Sequence, residues 1–249
     1  MTLVDLHTHS TFCDGKNTPE EMVLAAIARG IDTLGIVVHS YMSFDEGYCV
    51  KRGGEGEFIS EMERLKKKYE GKIKLLCGME RDVYSDSVVS GYDYVIGSAH
   101  YLKIGGEYYP VDAGEESLTR TCREHFGGDF IALAEAYYET LSMLPELFTP
   151  DIIGHLDLVT KYNEGDRLFD TASERYQRAA RSAVDALVPL GVPFEINTGA
   201  IARGYRITPY PSPQLIEYLK ERGARLILSS DAHKAESLAG KFEEFSILL

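Results

Sequence analysis

Six apolar runs of this chain stop at a residue able to bind a metal ion. They are Leu3-Val4-Asp5-Leu6-His7-Thr8-His9, Gly35-Ile36-Val37-Val38-His39, Leu75-Leu76-Cys77-Gly78-Met79-Glu80, Tyr94-Val95-Ile96-Gly97-Ser98-Ala99-His100, Ile152-Ile153-Gly154-His155 and Leu226-Ile227-Leu228-Ser229-Ser230-Asp231-Ala232-His233. Most are rich in Val, Ile and Leu with few charges, as strands covered on both faces are. With a run near 192–196 they make seven candidate strands, the others lying near 2–6, 33–38, 73–79, 93–98, 152–156 and 225–230. A fold that uses these ligands must bring the strand ends to one place.

Helical patterns separate the strands. Thr18-Pro19-Glu20-Glu21 reads as an N-cap, a proline at the first helical position and acids in the first turn, and Gly30 ends that helix. Phe58, Met62, Leu65 and Tyr69 recur at helical spacing over 57–70, and 171–190 and 213–222 follow the same pattern. The stretch 116–147 reads as two helices, and the Gly53-Gly54 and Gly105-Gly106 loops suit the rim of a site. Strands alternating with helices predict a parallel sheet. An open sheet points its outer strands away from a common site, whereas a closed barrel gathers every carboxyl end at one mouth. The expectation is therefore an α/β barrel, and 249 residues without repeat or linker suit a single domain over 1–249.

In extended chain, residues i and i+2 point the same way, so His7 and His9 can share one ion, as can Asp231 and His233. Glu80 and Asp231 are negative, and either could bridge two cations. Asp14 follows the first strand closely enough to join them. His7, His9, Asp14, His39, Glu80, His100, His155, Asp231 and His233 make nine candidate ligands, whereas one zinc needs three or four, so two or three divalent ions are implied. Imidazoles and carboxylates without a thiolate suit Zn²⁺, Mn²⁺ or Fe²⁺. His125, in a polar helical context, reads as a surface residue.

Composition narrows the partners. The 26 basic and 39 acidic residues give a formal net charge of -13, which repels a phosphate backbone at long range and argues against nucleic acid. Bound cations would reverse that potential inside a cleft, so a small anionic substrate remains compatible. No run approaches the roughly 20 apolar residues of a membrane span, and no signal peptide is visible. Cys13, Cys49, Cys77 and Cys122 are widely spaced, as expected of reduced thiols in a cytoplasmic protein. Oligomeric state is not legible here.

The motifs also carry a family resemblance. Asp5-Leu6-His7-Thr8-His9-Ser10 with Asp14-Gly15, Gly78-Met79-Glu80, Gly97-Ser98-Ala99-His100, Gly154-His155-Leu156-Asp157 and Ser229-Ser230-Asp231-Ala232-His233 resemble the polymerase-and-histidinol-phosphatase (PHP) superfamily across nearly the whole chain. Glu195-Ile196-Asn197-Thr198-Gly199 through Pro209-Tyr210-Pro211-Ser212-Pro213 looks like its histidinol-phosphate phosphatase branch. The resemblance implies a distorted (β/α)7 TIM-like barrel with a trinuclear site. His7, His9, Glu80 and Asp231 would hold one metal and Asp14, His39 and His233 a second. Glu80, as the bridge, with His100 and His155 would hold a third. The family commonly reads Thr-Asp-His where this chain has Val37-Val38-His39. If that aspartate orients the histidine, the second metal is held more weakly here.

Clustered cations suit hydrolysis of a phosphate monoester, because they bind phosphoryl oxygens, offset transition-state charge and acidify water. The resemblance implies L-histidinol phosphate as substrate. Alternatives are another small phosphate ester, a nucleotide or a phosphotyrosine, and a metal-binding protein without catalysis. Asp231 or His233 could relay the proton to the leaving oxygen, with Asp231 preferred. Arg203 and Arg206, following the sixth strand, are candidate phosphate clamps, since Arg binds phosphate oxygens bidentately. Lys161 is a weaker candidate. Tyr41, Tyr101 and Glu195 are candidates for recognising the substrate's ammonium and imidazole.

Overall fold

Residues 2–249 are described by a computed structural model. Seven parallel strands form the main sheet in the order β1 (Val4–Thr8), β2 (Thr33–His39), β3 (Lys74–Asp82), β4 (Tyr94–Ser98), β7 (Ile152–Ile153), β8 (Phe194–Asn197) and β9 (Leu226–Ser229). The sheet curls until β1 meets the residues after β9. Thr8 bridges Ala232, and His9 N–H donates to the Ala232 carbonyl at 2.8 Å. Asp5 seals the same seam from within. Its fully buried carboxylate accepts from Ser230 N (3.1 Å), Ser230 Oγ (2.6 Å) and Ala239 N (2.9 Å).

Inside the barrel, Val37, Tyr94, Ile96 and Ile152 pack together, with Leu6, Leu76 and Ile227 against them. Gly35 and Gly78 make room for the Tyr94 side chain: a Cβ at Gly35 would lie 2.1 Å from its hydroxyl and one at Gly78 2.4 Å from its ring. The Tyr94 hydroxyl donates to the Leu6 carbonyl, which satisfies its polar end.

Helices cover the outside. α1 (Pro19–Ala28) carries the expected cap: Thr18 Oγ1 accepts from Glu21 N at 3.2 Å, and Glu21 Oε2 accepts from Thr18 N at 2.8 Å. α1 and α2 (Glu55–Lys68) bury Met22, Val23, Phe58, Met62 and Leu65 against the sheet. α3 (Glu115–Phe126) and α4 (Phe130–Leu141) are the two helices expected between 116 and 147, and a short third, α5 (Leu144–Leu147), follows them. α6 (Glu174–Leu187), α7 (Gly199–Ala202), α8 (Pro213–Glu221) and α9 (Phe242–Phe245) complete the chain.

One element departs from expectation. Where the sequence suggests a glycine-rich loop, β5 (Tyr101–Ile104) and β6 (Glu107–Pro110) form an antiparallel hairpin. Gly105 and Gly106 both take positive φ, 60° and 92°, as a tight hairpin turn requires. The hairpin packs on the loop after β2: the Phe44 ring stacks on Tyr108 at 3.6 Å and meets Tyr101 edge-on at 5.0 Å. Together they form one aromatic wall beside the barrel mouth.

Candidate metal centre

The carboxyl ends of the strands converge on Glu80, which is 1% exposed at the end of β3. Its Oε2 lies 3.0 Å from His7 Nε2, 3.0 Å from His39 Nδ1 and 3.4 Å from His9 Nε2. Its Oε1 lies 2.8 Å from His155 Nε2 and 3.2 Å from His100 Nε2. Toward the mouth, Asp231 Oδ1 is 3.3 Å from His9 Nε2, and Asp14 reaches His233 at 3.1 Å and His39 at 3.6 Å. All nine candidate ligands thus join one network. His125 does not; its ring lies 4.5 Å from Tyr109.

Three groups of ligand atoms are close enough to surround an ion: His9, Asp14, His39 and His233; His7, His9 and Glu80; and His39, Glu80 and His100. His9 and His39 each serve two groups, so the division is less clean than the resemblance implies. The residues fit divalent metals. Ligands about 2.1 Å from a tetrahedral ion stand about 3.4 Å from one another, and many of the separations above lie near that value. His9 Nε2 and Asp14 Oδ1 are buried without a hydrogen-bond partner among the described residues, which leaves each free for an ion. Cys13 adds no thiolate: its Sγ sits 3.4 Å from His9 Nδ1, the nitrogen that does not point to Glu80.

Charge is shared unevenly around the ring. Burial alone would raise the Glu80 carboxyl, but His7, His39 and His100 outweigh it and hold Glu80 well below the usual carboxylate range. His9 behaves oppositely. Burial, with the charges of His233 and His39, lowers it to about 3, so it is neutral and ready to ligate at pH 7. Asp231 opposes its own burial through Arg203 and His7, which keep it well below the usual range and ionised. An ionised Asp231 suits a ligand, and it could relay a proton to the leaving group only by first accepting one. It sits at a positive φ of 47°, a conformation that Asp tolerates better than most residues and that marks a constrained site.

Two buried carboxylates brace the ring from outside. Glu195 Oε1 lies 2.7 Å from His7 Nδ1, and its Oε2 accepts from His155 N and Asn197 Nδ2, both at 3.2 Å. Glu195 is 1% exposed beneath the ligands, so it is not a rim residue for substrate, contrary to the sequence reading. Asp82 does the same for His100, with Oδ2 2.7 Å from its N–H and 3.2 Å from Nδ1. Sequence reading missed Asp82, although it stands two residues beyond Glu80 on the same face of β3. Such carboxylates fix ring orientation and tautomer at a metal.

Above the ligands opens a cavity of about 780 Å³. Arg203 enters it from just after α7, with Nη2 3.0 Å from Asp231 Oδ2 and Nη1 3.0 Å from His233 Nδ1. Gly199 permits this approach, because a Cβ there would lie 2.9 Å from Asp231 Oδ2 and 3.0 Å from Arg203 Nη2. Lys161 also lines the cavity and donates to Asp112 O at 2.9 Å and Oδ2 at 3.2 Å. Arg206 does not line it. Its Nη1 donates to Thr160, its Nη2 to Thr208 at 2.9 Å, and its guanidinium lies over the Tyr210 ring at 4.8 Å. These buried partners use Arg206 to tie two loops together, which corrects its assignment as a phosphate clamp.

Residues 5–199 match the PHP domain family. The chain belongs to that family. It is 29% identical to the probable histidinol-phosphatase of Deinococcus radiodurans over 97% of this chain and 90% of that protein. It is 25% identical to the histidinol-phosphatase of Bacillus subtilis over 97% of each chain. The crystal structure of histidinol phosphate phosphatase from Lactococcus lactis, complexed with zinc, L-histidinol and phosphate, superposes with a TM-score of 0.75. The two are 22% identical, and the match covers 99% of this chain and 92% of that one. The fold is the distorted seven-stranded PHP barrel.

The one departure from the PHP pattern, Val38, is explained by the register of β2. Val37 faces the barrel interior, and His39, two residues on, faces the same way toward Glu80. Val38 faces outward into the layer beneath α1 and α2 and is fully buried there. A residue at 38 therefore stands on the opposite face of the strand from His39, and valine removes no support from it. His39 is held instead by stacking on His9 at 4.3 Å and by the edge of Tyr48 at 4.9 Å.

Proposed function

We infer that this chain is a metal-dependent phosphomonoesterase that hydrolyses L-histidinol phosphate to L-histidinol and phosphate, a step of histidine biosynthesis. The observation that carries the reading is Arg203, a guanidinium set over the open side of a cluster able to hold two or three divalent cations. A structural metal site is closed, whereas this one faces a cavity, which favours catalysis over a purely binding role. The histidinol-phosphatases matched over nearly their full length support the substrate.

Divalent zinc, manganese or iron held by the nine ligands would draw in the phosphoryl oxygens and offset the charge that grows on them during transfer. Arg203 adds paired N–H donors to those oxygens, and Lys161 a further cation at the wall. Glu80 holds the ring together, while Glu195 and Asp82 keep His7 and His100 from rotating. Asp231, ionised, would give a proton to the leaving alcohol only after accepting one from the attacking water. His233, whose ring borders the cavity beside Arg203, is the alternative relay, and either role competes with metal ligation.

No described helix is long and apolar enough to cross a membrane. Four free cysteines, three of them buried, support a reducing cytoplasmic setting, and the acidic balance supports a small substrate rather than nucleic acid. With metal restored, kcat/KM for L-histidinol phosphate should exceed that for 4-nitrophenyl phosphate, nucleoside monophosphates and phosphotyrosine by about a hundredfold or more. Equal, slow turnover of all four would remove the substrate and leave a general phosphatase.

A further inference from the structure

Two carboxylates lining the cavity, Asp45 and Glu236, have no cationic partner among the described residues. Glu236 is exposed to solvent after β9, whereas Asp45 is held in place inside the mouth. Asp14, Asp112 and Asp231, which also line it, face His233 at 3.1 Å, Lys161 at 3.2 Å and Arg203 at 3.0 Å. Asp45 meets neutral donors alone: Oδ2 accepts from the Tyr101 hydroxyl at 2.7 Å and Oδ1 from Gly47 N–H at 3.1 Å. These contacts fix its position and leave its charge unspent. Tyr101 is 4% exposed and anchored in the aromatic wall with Phe44, so Asp45 does not swing freely in solvent. The Tyr48 ring stands beside it, 6.2 Å from Tyr101 and 4.9 Å from His39, and so spans the gap between Asp45 and the ligand ring.

The wall and the clamp come from different parts of the barrel. Asp45 and Tyr48 lie on the loop after β2 and Tyr101 on the hairpin after β4, whereas Arg203 follows β8. A molecule whose phosphate rests against the metal ligands and Arg203 would extend its other end toward Asp45. We propose that Asp45, held by Tyr101, is the specificity-determining residue that receives the cationic end of the substrate, an ammonium beside the phosphate-bearing carbon chain. Tyr48 offers the face of its ring to the same cation. This rests on the histidinol-phosphate reading and deepens it: the site selects phosphate esters that also carry a positive charge. The charge of Asp45 can be removed without disturbing its loop, because Asp45→Asn keeps an oxygen for the Gly47 N–H.

The test measures kcat/KM of the metal-loaded enzyme for L-histidinol phosphate and for 4-nitrophenyl phosphate, which lacks the ammonium. It also measures inhibition by L-histidinol and by inorganic phosphate. Asp45→Asn should lower the preference for histidinol phosphate by about tenfold or more, mainly through KM, because a charged partner for the ammonium is lost. The inhibition constant of L-histidinol should rise by a similar factor relative to that of phosphate. Asp45→Glu, which keeps the charge, should recover most of the preference. If the wild type prefers histidinol phosphate and Asp45→Asn retains that preference, the assignment to Asp45 is wrong. It is equally wrong if both substrates and both inhibitors weaken together. A wild type without any preference overturns the substrate reading itself, and this inference with it.

Discussion

Glu195 and Glu80 grip opposite nitrogens of one imidazole: His7 Nδ1 lies 2.7 Å from Glu195 Oε1, and His7 Nε2 lies 3.0 Å from Glu80 Oε2. The ring cannot turn without losing one of them. Glu195→Gln keeps the shape and removes the charge, and should weaken metal binding by about 10- to 100-fold. Competition with a chelator of known affinity would measure this. An unchanged affinity would mean that Glu195 serves only to pack the barrel.

Arg203 touches both Asp231 and the cavity. Arg203→Ala should lower kcat/KM by about a hundredfold or more, the scale of losing a charged donor to a developing oxyanion. Arg203→Lys should recover part of it, because a point charge cannot bind two oxygens in a fork. Arg206→Ala, by contrast, should reduce thermal stability through the lost ties to Thr160 and Thr208, with a smaller effect on catalysis.

Removing the metal should abolish activity and destabilise the fold together, since the same ligands join six strand ends. Restoring Mn²⁺ or Zn²⁺ at about 100 times its dissociation constant should return about 2.7 kcal/mol. For a chain of this size that raises Tm by about 5–10 °C, readable by calorimetry. Reloading should release protons and tighten as pH rises, because the imidazoles must be neutral to ligate.

Gly78→Ala would drive a Cβ to 2.4 Å from the Tyr94 ring. Overpacking of this kind costs about 1–3 kcal/mol, and denaturant unfolding would report it. Stability equal to the wild type would mean that Tyr94 moves at no cost.

On the surface, Lys68, then Arg64 and Tyr69 lower the Glu20 carboxyl from 4.5 to about 2. A carboxyl depressed on folding adds stability above its unfolded pKa, and that stability is lost as pH falls through its folded value. Glu20→Gln should therefore lower Tm slightly at pH 7, with the difference from the wild type closing between about pH 4.5 and pH 2. A difference that widened on acidification would contradict this sign.

The seven strands and their ligands were legible because a buried parallel strand reads as an unbroken apolar run, and its end is marked where a charged residue appears. Glu195 and Asp82 illustrate what was not. Sequence places a carboxylate at a strand end but does not say whether it points at the substrate or at the back of a histidine. Arg203 and Arg206 sit three residues apart on a short turn, and only its curvature separates the clamp from the tie. The β5–β6 hairpin had its Gly-Gly signal, but strands of four residues carry too little periodicity to show. Val38 became intelligible only from the register of β2.

The seam where Thr8 meets Ala232 joins the two ends of the chain, and four of the nine ligands, His7, His9, Asp231 and His233, lie beside it. His9 and Asp231 stand 3.3 Å apart across it, so parting the seam would separate ligands of one cluster. Metal loading and closure of the barrel are therefore two faces of one equilibrium.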